Sequence, residues 1–565
     1  MPSQALPIEA QLFINGKFTS SSSNETFPVH SPYSGDHVGT ISEATVEDVD
    51  TAVRAAQAAQ PAWASLSPQD RGKPLRKLAQ LIDDATPELA RLDALSLGRP
   101  ISTYFDGQYA VTHFRYFSEA AYPVGTSSLN TPGFVNMSLR QPYGVGAAII
   151  PWNAPLVFLS KKLAPALAAG NCMVLKTSEK APLSSHRVAQ MLNEAEFPPG
   201  VVNILHGHGL PSGDAIARHM QIRALSFTGS VRTGRAIQKA AADSNFKHLV
   251  FELGGKTPAV IFPDADLKRA AQETQNSIMF HSGQTCMANS RIYVHEDIAE
   301  AFVEKFVAHA RARKLGDPLE KETTSGPQAD KSQYEMVSKY VEEAKETSRT
   351  VDTATPMPTE KSDLFVRPTV FLDVPESAKL AKEEVFGPVV VINTFETEAE
   401  AIRVANDTEY GLYAAVYTQD VDRALRVAKR LESGMVGVNC TSPTGAWDMP
   451  FGGYKQSGIG RESLLESLED WLEKKSVYVR VSGGESQATG NSVRSLASEK
   501  RQYLLMLHGF QQSGFGADTP VSLSTQLALV PNCSCEVDQE SPPSSFDPVL
   551  FHEVVGLLGE EVDNV

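Results

Sequence analysis

Apolar and polar positions divide the chain into alternating short and long blocks. "LFINGKF" (12–18) alternates apolar residues around Asn15-Gly16, a type I′ turn pair, and predicts a hairpin. From "ATVEDVD" to "LARLDALSLG" (44–98) apolar residues recur at helical spacing, with Thr45 placed to cap the first helix and Asp48 three residues on. Unbroken apolar runs then follow: "GVGAAIIPWN" (144–153), "CMVLKTSE" (172–179), "VVNILHG" (201–207), "ALSFTGS" (224–230) and "HLVFELGG" (248–255). A run without alternation suits a strand covered on both faces, as in a parallel sheet. Helical stretches separate these runs, beginning with "VFLSKKLAPALAAGN" (157–171). Strands alternating with helices predict a doubly wound α/β domain.

After "TPAVIFPDAD" the rhythm restarts through "SRIYVHEDIAEAFVEKFVAHA", "FVRPTVFLDV", "VVVINTF", "GLYAAVYT" and "MVGVNC", which predicts a second α/β domain. "DLKRAAQETQNSIMFHSGQTC" reads as a helix leading to Cys286, and "KKSVYVRV" (474–481) as a charged final strand. Beyond "SGG" at 482–484 the composition shifts. Residues 485–565 are rich in Ser, Pro, Asp and Glu and poor in Lys and Arg, which predicts a disordered or loosely attached tail.

Composition narrows the function. The 565 residues are 42% apolar and suit three or four domains at about 150 residues each. A net charge of −16 argues against nucleic acid, which needs clustered Lys and Arg. Five cysteines (Cys172, Cys286, Cys440, Cys533 and Cys535) make no disulfide framework, and none has zinc-site spacing, so no metal is expected. "MPSQALPIEAQLFING" shows no secretory pattern and no apolar run reaches membrane-spanning length, so a cytoplasmic protein with no membrane partner is expected. In a reducing compartment a thiol is available for chemistry.

Four pieces carry candidate chemistry. Cys286 sits in "HSGQTCMANS" (281–290), where a thiolate stabilised by positive neighbours or a helix N-terminus would attack a carbonyl. Taken alone, a cysteine is more often a small core residue. Glu252 ends an apolar strand in "VFELGGK", and a carboxylate in an apolar cleft gains basicity and serves as a general base. The plainer reading is a helix cap or a lysine partner. Asn153 in "IIPWNAP" offers an amide to a developing oxyanion, or simply forms a turn before Ala-Pro. Lys176 and Glu179 in "KTSE" lie past a strand's C-terminal end, where open α/β sheets bind ligands and where a surface ion pair is equally ordinary. "FTGSVRTG" places Gly229 and Ser230 between a strand and a helix, a phosphate-approach geometry without the Rossmann spacing.

Together these residues resemble the NAD(P)-dependent aldehyde dehydrogenase superfamily. The matching pieces are "PWN" (151–153), "KTSE" (176–179), "FTGS" (227–230), "ELGGK" (252–256), "GQTC" (283–286), "EEVFGPV" (383–389) and "PFGGYKQSGIGRE" (450–462), in the family's order and spacing over about 10–482. The resemblance implies an aldehyde dehydrogenase-like fold. It has an NAD-binding domain (1–122 and 143–253), a catalytic domain (254–469) and a small β oligomerisation flap (123–142 and 470–484). It implies Cys286 as nucleophile, Glu252 as general base, and Asn153 with the Cys286 backbone N–H as oxyanion hole. Lys176 and Glu179 resemble the adenosine-ribose binders. Trp152, Gly229, Ser230 and Gly254 look like residues around the cofactor, and Glu384 and Phe386 like contacts to the nicotinamide side.

The implied reaction oxidises an aldehyde to its acid through a thiohemiacetal and a thioester, with NAD favoured over NADP because Glu179 would repel a 2′-phosphate. A homodimer or homotetramer is implied. Phe158, Phe280, Met287 and Trp447 resemble the pocket lining, while Lys161 stands where simple-aliphatic members often carry an aromatic residue. "WNAP" is similar to members acting on aromatic aldehydes such as salicylaldehyde or vanillin. Two alternatives are a CoA-acylating semialdehyde dehydrogenase, whose members typically lack the base, and a non-catalytic binding protein of the same fold. In the tail, "RQYLLMLHGFQQSGFG" (501–516) resembles the opening of small serine hydrolases, with no GxSxG following.

Overall fold

The computed structural model describes residues 7–481 except 121, 123, 359–361, 444, 445, 447 and 465. The expected tail, with its hydrolase-like stretch, and Trp447 lie outside the described residues.

An eight-stranded sheet is built from the apolar runs. Its order is Gly458–Ile459, His248–Glu252, Ala224–Thr228, Val145–Ile149, Cys172–Lys176, Val202–Leu205, Leu12–Ile14 and Lys17–Thr19. The five central strands are parallel, and antiparallel additions close both edges. Every residue of Val145–Ile149, Cys172–Lys176 and Ala224–Thr228 is buried. This is why their sequences are unbroken apolar runs rather than alternating ones. From Val145–Ile149 the chain moves to Cys172–Lys176 and outward to Val202–Leu205, then returns to the other side of Val145–Ile149. Strand order therefore reverses between Val145–Ile149 and Ala224–Thr228, and open α/β sheets take ligands beyond the C-terminal ends of strands at such a point.

A seven-stranded sheet follows, ordered Arg349–Asp352, Thr369–Leu372, Val389–Phe395, Arg291–His295, Pro258–Ile261, Tyr413–Tyr417 and Met435–Val438. All its pairings are parallel except that of Arg349–Asp352. One of its interior strands, Pro258–Ile261, comes directly after His248–Glu252. The short link between them, Leu253 to Thr257, joins the two sheets and carries Gly254 and Gly255.

A third sheet is antiparallel and pairs Leu472–Arg480 with Phe134–Pro142, and Phe134–Pro142 with Ser127–Ser128. The fourth joins Ile8–Ala10, His37–Ser42 and Thr26–His30. Sequence reading missed this last sheet because "TFPVH" and its neighbours are short, polar and interrupted by Pro28, leaving little period-two signal.

Local predictions are met by local physics. Asn15 (φ 52°) and Gly16 (φ 74°) adopt the left-handed backbone that a type I′ turn requires. Thr45 and Asp48 form a reciprocal capping box at the start of the helix Val46–Ser65. One local prediction fails. The helix expected to lead to Cys286 ends at Met279, because His281 (φ 48°), Ser282 (φ 55°) and Gly283 (φ 77°) are successively left-handed.

No helical turn can continue through that geometry, and each non-glycine residue in it costs about 1–3 kcal/mol. Side chains hold the excursion in place. Ser282 Oγ donates to Gly326 O (2.6 Å), Gln328 Nε2 to Ser282 O (3.2 Å) and Gln284 Nε2 to His281 O (3.0 Å), while Gln284 Oε1 accepts from Ala329 N (2.9 Å).

A Cβ on Gly283 would lie 2.1 Å from the carbonyl carbon and oxygen of Gly387. Gly283→Ala is therefore expected to destabilise the fold by about 3 kcal/mol, from backbone collision plus left-handed strain. Denaturant unfolding measures this, and a loss below about 1 kcal/mol would show that the loop yields freely.

Candidate active site

The loop that Gln284 and Gln328 pin presents Cys286 to a cavity of about 540 Å³, lined also by Asn153, Phe158, Phe280 and Met287. Three of the four expected pocket residues thus converge with the expected nucleophile.

Asn153 follows the strand Val145–Ile149 and is buried. Its Nδ2 donates to Gln284 O at 3.0 Å, which aims the amide at the cysteine loop and leaves its second N–H for a ligand. Beneath it lies a cluster that sequence reading missed. Arg99 pairs with Asp106 at 2.7 Å and lies over the rings of Phe105 (5.2 Å) and Phe280 (5.4 Å), fixing the pocket wall.

Glu252 is the last residue of its strand and 2% exposed, and neither carboxylate oxygen has a hydrogen-bond partner among the described residues. Burial, then the nearby Glu462 carboxylate, raises its pKa well above the usual carboxylate range, against the opposing pull of Lys161 and Lys162. Glu462 itself is held ionised by Lys162, whose Nζ donates to Glu462 Oε1 (2.7 Å) and to Ser226 Oγ (2.7 Å). Sequence reading missed this pair too. The available signal was two lysines inside an otherwise apolar helix, Pro155–Ala168, that is buried along its whole length.

The thiol of Cys286 departs from expectation. A lowered pKa would have suited an activated nucleophile, yet burial and the Glu384 carboxylate push it up to about 12, with Lys161 acting the other way. Positive neighbours are too few to offset the apolar wall, so at rest the sulfur keeps its proton.

Glu384 stands on the glycine link. Its Oε1 accepts from Gly255 N at 2.9 Å, and burial pushes its pKa up to about 7. A Cβ on Gly254 would come within 2.2 Å of Glu384 Oε2, and one on Gly255 within 2.4 Å of Cys286 O. The two glycines therefore make different approaches possible, one for the carboxylate and one for the cysteine backbone. Phe386 stands edge-on to Trp152 at 5.4 Å.

The remaining expected cofactor residues lie at or just past the C-terminal ends of parallel strands. Lys176 is buried and among the described residues donates only to Thr177 O (3.0 Å), so two of its three N–H groups have no acceptor there. Burial brings its pKa down to about 8, opposed by Glu179 and Glu43. Glu43, not anticipated from sequence, is fixed there by His208, accepting from its backbone N (2.9 Å) and meeting its Nδ1 at 2.6 Å. Gly229 follows Ala224–Thr228, where a Cβ would strike the Phe227 ring at 2.5 Å. Ser230 caps the helix Val231–Ala242, accepting from Thr233 N at 3.3 Å.

A doubly wound sheet beside a cavity that holds a thiol and an amide, with the buried Glu252 carboxylate within electrostatic reach of that thiol, defines an enzyme of the doubly wound α/β class. The sequence pattern of the aldehyde dehydrogenase family matches residues 18–477. An aldehyde dehydrogenase of Alternaria alternata is 40% identical over 474 residues, covering 83% of this chain and 95% of that protein. Solved structures agree. Gamma-glutamyl-gamma-aminobutyraldehyde dehydrogenase from Burkholderia cenocepacia superposes with a TM-score of 0.82 at 41% identity, covering 84% of this chain and 97% of that one. The NAD+ complex of an aldehyde dehydrogenase from Bacillus cereus gives 0.81 at 40% identity, covering 84% and 97%. The chain belongs to the aldehyde dehydrogenase family.

Proposed function

We propose that this chain oxidises an aldehyde to its carboxylic acid with NAD, using Cys286 as nucleophile, Glu252 as base and Asn153 as oxyanion donor. The observation that carries this reading is the buried, unpartnered carboxylate of Glu252 within electrostatic reach of the Cys286 thiol. Such a group is costly to keep unless it handles protons.

Glu252 takes the proton from Cys286 as Sγ bonds to the aldehyde carbon. The oxyanion accepts from Asn153 Nδ2 and from the Cys286 backbone N–H. NAD, when bound, accepts the hydride from that carbon. Glu252 passes the first proton to solvent, and the thioester left on Cys286 is then attacked by water, whose proton Glu252 removes. The C–S bond breaks, and the acid and the thiol are released.

The residues at these strand ends fit a dinucleotide. Lys176 retains donors for ribose hydroxyls, Ser230 opens a helix N-terminus toward phosphate, and Trp152, Gly254, Glu384 and Phe386 stand at the nicotinamide end. Glu179 and Glu43 together disfavour a 2′-phosphate, which supports NAD over NADP. In this reading 1–122 and 143–253 bind NAD, 254–469 supply the thiol, and 123–142 with 470–484 pair copies into a homodimer or homotetramer. A reduced thiol also requires a reducing compartment, so a cytoplasmic location belongs to the proposal. No helix among the described residues is long and apolar enough to cross a membrane.

The test follows NADH formation by purified protein with NAD or NADP and a panel of aliphatic and aromatic aldehydes. NAD-dependent turnover is expected, and a folded, NAD-binding protein that oxidises none of them would overturn the reading. Asn153→Ala is expected to lower kcat about 10²- to 10³-fold with little change in NAD affinity. An unchanged kcat would remove Asn153 from the oxyanion site.

A further inference from the structure

The cavity above Cys286 is mostly apolar and aromatic, with a few neutral polar groups such as Asn153 and Thr285 and three basic side chains, Arg99, Lys161 and Arg461; among the described residues no aspartate or glutamate lines it. In a chain of net charge −16 this is a local reversal of sign. Two of the three cations have protein partners. Arg99 pairs with Asp106 through Nη1, although its Nε and Nη2 find no acceptor among the described residues, and Arg461 Nη1 donates to Gly453 O (3.2 Å) and Gly460 O (2.7 Å).

Lys161 is not satisfied. It is 2% exposed, and among the described residues its ammonium has no hydrogen-bond acceptor and no ion-pair partner. Its Nζ lies 3.2 Å from the ring centroid of Phe451 and 5.7 Å from that of Phe158. Aromatic faces attract a cation but supply no lone pair. The nearby carboxylates do not fill the gap. Glu462 Oε1 is bonded to Lys162, and neither carboxylate oxygen of Glu252 makes a hydrogen bond among the described residues. Burial pulls the Lys161 pKa down, while Glu462, Glu252 and Cys286 pull it up. An ammonium buried without an acceptor is costly, so its counter-charge arrives with the ligand.

We propose that Lys161 determines specificity by binding a carboxylate on the substrate, so that the aldehyde taken by this enzyme is an aldehydo acid. The inference rests on aldehyde oxidation at Cys286. A phenol, with an ordinary pKa of about 10, brings no charge at neutral pH. A phosphate monoester carries about −1.5 to −2 at neutral pH, more than a single ammonium neutralises. A carboxylate matches a single donor head and is ionised at neutral pH.

The test compares two pairs of aldehydes matched in shape: 4-oxobutanoate with 4-methylpentanal, and 4-formylbenzoate with 4-isopropylbenzaldehyde. The readout is the ratio of kcat/KM for the acid to that for its neutral partner, in wild type, Lys161→Met and Lys161→Arg. In at least one pair the wild-type ratio is expected to favour the acid. Lys161→Met should lower it roughly 10- to 100-fold through KM, and Lys161→Arg should restore most of it.

A wild-type preference for the neutral partner in both pairs overturns the inference. So does a ratio untouched by Lys161→Met, and so does an equal fall for acid and neutral aldehyde, which would make Lys161 a partner of Cys286 instead. In each of these outcomes, oxidation of the neutral aldehydes leaves the proposed function standing. If no aldehyde is oxidised by wild type, the function falls and this inference with it.

Discussion

Cys286→Ala is expected to reduce aldehyde-dependent NADH formation by at least about a thousandfold while leaving NAD binding intact. The expectation follows from position. Of the two thiols that line the cavity among the described residues, Cys286 and Cys440, Cys286 stands on the loop that Asn153 Nδ2 bonds through Gln284 O, while Cys172 is buried in a strand with its pKa pushed up to about 12. Without sulfur no covalent intermediate forms, and the remaining amide and carboxylate only orient the aldehyde. Removing Sγ is also structurally mild. The loop is held by Gln284, Gln328 and Ser282 rather than by the cysteine side chain, so its path should persist. Steady-state turnover and NAD titration on the same preparation measure both halves. Residual turnover above about a tenth of wild type would place the chemistry elsewhere.

Glu252→Gln is expected to slow turnover about 10²- to 10⁴-fold and, at the same time, to stabilise the protein at alkaline pH. Both effects come from one raised pKa. The base form exists only above that pKa, so wild-type kcat should rise with pH through it, and the variant should lose this ascending limb. Stability runs the other way. The unfolded chain releases the Glu252 proton near the model value of 4.5, while the folded chain holds it to much higher pH. Stability is therefore full below about 4.5 and falls as pH rises through the folded pKa, where a buried charge must form. Glutamine never ionises, so the variant should exceed wild type by about 1–3 kcal/mol on the alkaline side and converge with it on the acid side. Thermal unfolding across pH, beside the rate profile, tests this. Equal stability at every pH would mean that water or a neighbour already satisfies the carboxylate.

Much of this was legible because the relevant signals are local. An apolar run that ends in Lys176 or Glu252 announces a strand covered on both faces whose last residue stands at the end where such sheets bind ligands. Asn15-Gly16 and Thr45 with Asp48 act within a few residues of themselves. What stayed hidden depends on residues far apart in sequence. Lys162 meets Glu462, and Glu43 reaches the Lys176 site; no period along the chain encodes either meeting. The approach to Cys286 was misread as helical because the side chains of "IMFHSGQTC" suit a helix. The left-handed backbone there is imposed by Gly326, Gln328 and Ala329, and by the crowding of Gly387 against Gly283.

The elevated pKa of Cys286 has a bearing on how the protein ages. Burial and the Glu384 carboxylate hold the thiol well above its ordinary pKa, so little of the sulfur is thiolate at neutral pH. Peroxides and alkylating electrophiles react with thiolates, so the resting protein is chemically quiet toward them. Its reactivity is confined to the moment when a carbonyl and a proton acceptor are both at hand. A catalyst whose substrates are themselves indiscriminate electrophiles gains a longer working life from a nucleophile kept protonated between turnovers.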